Sequence, residues 1–154
     1  MIDSMQKFVV VGALILALVL GATIYKVGFM QSTVTGIEVD WRLLGEMDYI
    51  TGKAPKELQD LDGHEVKIPG FMVPLEDSQR AVTEFLLVPS PQACIHVPAP
   101  PPNQMIYVKM SASSRSEVAY GPIWVYGKLK MVTQKSMYGD SSFQIEGQSI
   151  EPYK

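Results

Sequence analysis

Two hydrophobic patterns divide the chain. From Phe8 to Tyr25 apolar residues run on without a charge, bracketed by Lys7 and Lys26. At ~1.5 Å per residue, about 18 residues nearly cross a hydrocarbon layer of ~30 Å as one helix. A helix is also the single-segment structure that satisfies its own backbone there. Beyond it the pattern changes to short alternating runs. Glu65–Ile68 alternates polar and apolar, as a half-buried strand does. Asp62-Gly63 signals a turn before it, and Pro69-Gly70 punctuates before Phe71–Leu75. Val82–Val88, Met105–Met110, Ile123–Val132 with a kink at Gly127, and Ser142–Glu146 read as further strands. Ile37–Leu44 suits a first strand or its approach, and Lys56–Leu61 one helical turn or a loop.

Five to seven short strands with Gly and Pro punctuation predict an all-β fold, a small barrel or a sandwich, preceded by one transmembrane helix. A five-stranded Greek-key barrel of the oligonucleotide/oligosaccharide-binding type is the favoured topology. The expected organisation is an N-terminal anchor over 1–30, a small-residue linker over 31–36 and a periplasmic β-rich domain over 37–154.

The apolar run admits two other readings. A cleaved signal peptide needs a small residue where Leu20 stands before Gly21-Ala22, and a core helix would not explain the terminal position and lysine flanks. Retention as an anchor embedded through residues 8–25 is the expectation. Tyr25 and Lys26 suit the membrane interface. Ala13, Ala17 and Gly21 share one helix face, where small residues let another helix approach.

Hydrophobic residues make up 47% of the chain, concentrated in the N-terminal run, so the remainder has an ordinary domain composition. Formal net charge is -3 with no basic run, so no nucleic-acid partner is expected. With one cysteine, Cys94, an intramolecular disulfide is impossible.

Candidate chemistry concentrates between Pro89 and Gln104. In extended chain Cys94 and His96 point to one face, so thiolate and imidazole can converge on zinc or Cu(I). A structural zinc site wants four ligands, and a lone cysteine often packs as a small hydrophobe. His64 and Glu76 are further candidate ligands. Cys94 could also serve as a nucleophile beside His96, but same-strand spacing aims the ring poorly at the sulfur and no third orienting residue stands out. Pro98, Pro100, Pro101 and Pro102 stiffen the path into Asn103 and Gln104, which makes this run the expected partner-contact edge.

Gly70-Phe-Met-Val-Pro-Leu-Glu76, Glu84-Phe-Leu-Leu-Val-Pro89, Ala93-Cys-Ile-His96 and Pro100-Pro-Pro-Asn-Gln104 resemble the signature of an uncharacterised bacterial envelope family, whose members are domains of unknown function, often lipoproteins or secreted proteins. The resemblance covers Asp62 to Val132. Its departures are Ser90-Pro-Gln92 before the cysteine and Ala99 within the proline run. It implies genes set beside ABC-transporter permeases and ATPases of the lipoprotein-release or macrolide-export type, some of them associated with zinc. On that footing the chain is expected to be a non-catalytic accessory subunit of an envelope ABC transporter, single-pass in the bacterial inner membrane with its C-terminal domain in the periplasm. Its implied partners are the permease and ATPase. Cys94 and His96 carry over as candidate metal residues, with zinc the possible cofactor. The lipidated cysteine of some relatives is missing here, and the apolar helix is expected to take its place.

Overall fold

The computed structural model describes residues 35–77, 80–91, 99–111, 114 and 116–153. Among them the strands are β1 (Ile37–Glu38), β2 (Glu65–Pro74), β3 (Glu84–Val88), β4 (Ile106–Met110), β5 (Ile123–Lys130), β6 (Gln134–Ser136), β7 (Gly139–Ser141) and β8 (Phe143–Pro152). Two short helices, α1 (Trp41–Gly45) and α2 (Lys56–Gln59), precede β2, and a 3-10 turn spans Pro102–Gln104.

Five strands close on themselves in the order β2-β3-β4-β8-β5, with β5 returning to β2. All contacts in the ring are antiparallel except β4–β8, which is parallel. A barrel therefore replaces the sandwich alternative, and its strand order is that of the oligonucleotide/oligosaccharide-binding type. The anchor expected over 8–25 lies outside the described residues. Among those described, no helix is long and apolar enough to cross a membrane.

Closure depends on β2. Its first six residues pair with β5 and its last four with β3, so one ten-residue strand serves both neighbours by changing partner after Gly70. The Pro69-Gly70 pair thus bends a continuous strand where the sequence suggested a break. A Cβ at Gly70 would come within 2.8 Å of the Val88 carbonyl oxygen and of the Leu87 side chain. Pro69 sits in the paired part with no N–H to give, and its carbonyl accepts the Trp41 indole N–H.

The alternation expected for β2 and β5 holds. Val66 and Ile68 of β2, Val125 and Leu129 of β5, and Phe85, Leu87, Val108, Phe143 and Ile145 from the other strands fill the interior, all fully buried. The kink expected at Gly127 is a register shift between Tyr126 and Gly127, where β5 faces β8. A Cβ on Gly127 would lie 2.2 Å from the Glu146 carbonyl oxygen, so the two backbones touch there and no side chain fits.

The polar faces of the same strands carry an alternating row of charge. Glu84 on β3 stands opposite Lys109 on β4, Lys109 opposite Glu146 on β8, Glu146 opposite Lys128 on β5, and Lys128 opposite Glu65 on β2. Opposite charges set in register across neighbouring strands favour this pairing.

Ile37–Leu44 does not form one strand. After two residues on β1, Asp40 accepts the Leu43 N–H at 2.8 Å and starts α1, so Trp41 lies on a helical turn. Lys56–Gln59 makes the anticipated helical turn. The β6–β7 hairpin falls in a stretch without apolar alternation, and β8 runs six residues past Glu146.

Candidate docking groove

Beyond Glu84, the face of β3 turned away from the interior is apolar. Leu86 and Val88 point outward yet are 1% exposed, and with Met105 they form a second apolar cluster. Phe71, Val73, Leu75 and Tyr107 pack against it, half-buried. In barrels of this type the outer face of the second and third barrel strands is a common ligand surface. Here those strands are β3 and β4, and the face is already covered.

Beside the cluster the apolar surface opens to solvent. A groove of about 490 Å³ runs along the outer side of β2, floored by Phe71, Val73 and Pro74 and walled by Pro91, Tyr120 and Tyr138. Tyr120 is 86% exposed and Tyr138 40%, far more than folding alone asks of an aromatic ring. Tyr138 stands at the turn between β6 and β7, and Met137 next to it is also exposed. Among the described residues, no lining residue is a carboxylate, amine, thiol or imidazole, and the protic side chains are two phenols. Such a surface can bury apolar or proline-containing chain and offer two hydroxyls to its polar groups.

Past the end of β2 a polar network ties this strand to β3 and β4. Glu76 Oε1 accepts the Thr83 and Glu84 N–H groups at 3.2 and 2.9 Å, and the Thr83 hydroxyl as well. Glu84 in turn accepts the Tyr107 hydroxyl at 2.6 Å and faces Lys109 at 3.1 Å. The Tyr107 donor, and after it Lys109, hold the Glu84 carboxyl below its ordinary value. Burial, then the hydrogen bond to Glu84, push the Tyr107 hydroxyl up to about 12.

Of the candidate residues between Pro89 and Gln104, Cys94, His96 and Pro98 lie outside the described residues. Pro100 and Pro102 are half-buried and Pro101 is exposed. Asn103 and Gln104 turn inward. Asn103 is 8% exposed, and its amide nitrogen donates to the Gly45 and Met47 carbonyls at 3.0 and 2.8 Å. Gln104 donates to the Trp41 carbonyl at 3.2 Å. These acceptors lie along and just past α1, where a helix leaves carbonyls without partners. The two side chains therefore bind α1 to the barrel. The Asn103 oxygen is buried and accepts nothing.

The structure does not bring His64 and Glu76 together. They flank opposite ends of the ten-residue β2. His64 is exposed with Nδ1 3.2 Å from the Asp62 carbonyl, and Glu76 is engaged by Thr83 and Glu84. Among the described residues no group of three or more His, Cys, Asp or Glu is placed to hold a metal ion. The groove itself was not visible in sequence, because its walls come from three separate connections. The exposed tyrosines in Gly- and Pro-flanked turns were the available signal.

Comparison with known proteins agrees with this architecture. Residues 46–152 match the model of a family described as a protein of unknown function, DUF3299. The crystal structure of a DUF3299 family protein from Pseudomonas aeruginosa is similar with a TM-score of 0.62 and 32% sequence identity, over 78% of this chain and 97% of that one. No curated protein matches. With most of its length matched by the family model, the chain belongs to the DUF3299 family.

Proposed function

We propose that this chain is a membrane-anchored, non-catalytic accessory subunit of a bacterial envelope ABC transporter, and that the aromatic groove on β2 is its contact with the permease. The observation that carries the reading is the groove. It is an open apolar surface with two exposed tyrosines, and its described lining residues offer apolar contact and two hydroxyls. The start of the barrel adds a constraint. Gly36 lies flat on β2, where a Cβ would meet the Val66 carbonyl carbon at 2.4 Å, and β1 pairs in parallel with Val66 and Lys67. With an anchor ending near Lys26, about ten residues remain before that seam, or at most ~35 Å of extended chain. The periplasmic location, the inner-membrane anchor and the permease and ATPase partners belong to this proposal.

The test is purification of the tagged full chain in mild detergent. Stoichiometric recovery of an ABC permease and ATPase, reduced by Tyr120→Ala together with Tyr138→Ala, is the expected result. A chain that runs alone, or a complex indifferent to both substitutions, would overturn it.

The spacing of Cys94 and His96 favours a second reading, a periplasmic zinc-binding protein or metallochaperone. Equilibrium dialysis of the full chain against zinc separates the two. Stoichiometric zinc lost in Cys94→Ser supports metal handling, and no binding removes it.

A further inference from the structure

Along β2 the backbone groups of successive residues point to opposite edges of the strand. The Lys67 carbonyl accepts the Val39 N–H, and Leu75 donates to the Glu84 carbonyl, so odd-numbered residues face β1 and β3. The His64 carbonyl accepts the Leu129 N–H, so even-numbered residues face β5. That second edge loses its neighbour partway along. β5 pairs with β2 only as far as Gly70, opposite Ile123. Gly121, which continued register would set opposite Met72, is exposed. The Met72 N–H and carbonyl and the Pro74 carbonyl therefore point off the edge with no backbone partner among the described residues. Both residues line the aromatic groove. The Met72 side chain belongs to the barrel core, so what this residue offers the groove is backbone.

The open edge narrows what can fill the groove. Its described lining carries no charge, so the part of a ligand that enters it is uncharged as well. An acyl chain would cover Phe71 and Val73 but strand one N–H and two carbonyls away from water. A helix has already used its own backbone groups. A polyproline segment lacks the N–H groups that two carbonyls need. An extended chain meets all three. The residue opposite Met72 donates one hydrogen bond and accepts another, and the residue opposite Pro74 donates its N–H. Its side chains opposite Phe71 and Val73 then fall beside those two apolar residues.

We infer that the groove takes up an extended segment of the partner as an added strand along Met72–Pro74, with uncharged apolar side chains at alternate positions. The inference rests on the reading of the groove as a protein contact and names what the partner brings to it. Pairing of this kind draws affinity from the main chain and selectivity from the alternate side chains.

The probes are capped heptapeptides of the pattern Lys-Thr-X-Thr-X-Thr-Lys, with X valine, leucine or phenylalanine. Each is also made N-methylated on the threonines alone or on the X residues alone. They are titrated into the full chain in detergent micelles and followed by two-dimensional amide NMR and amide exchange. Saturable shifts at Met72, Val73 and Tyr120 with at least one peptide are expected, and Tyr120→Ala should weaken them. The Met72 amide should exchange about tenfold or more slowly when the peptide is bound. With X beside Phe71 and Val73, the threonine N–H groups face the edge. N-methylation of the threonines should therefore cost about tenfold or more in affinity, and N-methylation of X much less. The inference is overturned if no peptide shifts these amides up to about 1 mM. It is equally overturned if the two N-methylated sets bind alike, or if Met72 exchange is unchanged at saturation. Peptide pairing without recovery of a permease upholds the added strand and removes the permease. Recovery of the permease without peptide pairing does the reverse.

Discussion

Replacing Asn103 by alanine removes two donors from carbonyls that the fold has turned away from water. The Met47 carbonyl is in a buried contact and the Gly45 carbonyl in a partly buried one. A stranded buried carbonyl costs about 1–3 kcal/mol, with the lower part of that range suiting the partly exposed one. Against this, alanine also removes the Asn103 oxygen, which is itself buried without a donor, and so recovers about 1 kcal/mol. The net expectation is a loss of about 2 kcal/mol, or roughly 8 °C in Tm for a domain of this size. Asn103→Asp keeps shape and volume but sets a carboxylate against the two carbonyls, so it should cost more than alanine. The assay is thermal and urea unfolding of the full chain in detergent, with no partner present. A Tm within about 1 °C of the parent for both variants would refute the latch, because a residue held for partner contact alone leaves the isolated chain's stability unchanged.

Gly127→Ala should destabilise by about 3 kcal/mol or more, since its Cβ would sit 2.2 Å from the Glu146 carbonyl oxygen. Gly121→Ala, with nothing within 4 Å, should be neutral in the same unfolding measurement. Tyr107 should be the last phenol to ionise in an ultraviolet titration, near pH 12. Because its folded value is raised, its contribution to stability is whole below about pH 10 and is lost as pH rises toward 12. Glu84 works in the opposite direction. Its folded value is lowered, so its contribution is present above the ordinary carboxylate range and is lost as pH falls through the folded value. Tyr107→Phe should move the Glu84 titration upward by NMR, and an unchanged titration would show that the Tyr107 donor is not the cause.

Much of the barrel is legible because a half-buried strand has a period of two, and β2, β5 and the start of β8 keep it. Val66 and Ile68, or Val125 and Leu129, alternate with charged or half-exposed residues in the sequence as they do in the fold. Closure is less legible. It rests on β2 changing partners after Gly70 and on two backbones touching at Gly127, both long-range facts that local pattern does not encode. Trp41 read as a strand residue because local propensity said so, whereas the Asp40 cap and the Pro69 carbonyl made it helical. At the candidate site, sequence singled out Asn103 and Gln104 for their place in a rare motif. Their contacts with α1 depend on residues about 60 positions earlier. The groove was missed for a related reason. Phe71, Pro91, Tyr120 and Tyr138 are unremarkable until three connections bring them together.

The proposed docking of the β2 groove on a transporter permease puts Tyr120 in the contact. Site-specific photocrosslinking in cells, with the photoreactive residue at Tyr120 and at an exposed control position, Lys56, tests it most directly. A crosslink from Tyr120 to the external domain of an ABC permease, identified by mass spectrometry, and none from Lys56 is the expected result. Crosslinks from Tyr120 to no permease, or equal crosslinking from both positions, would contradict it.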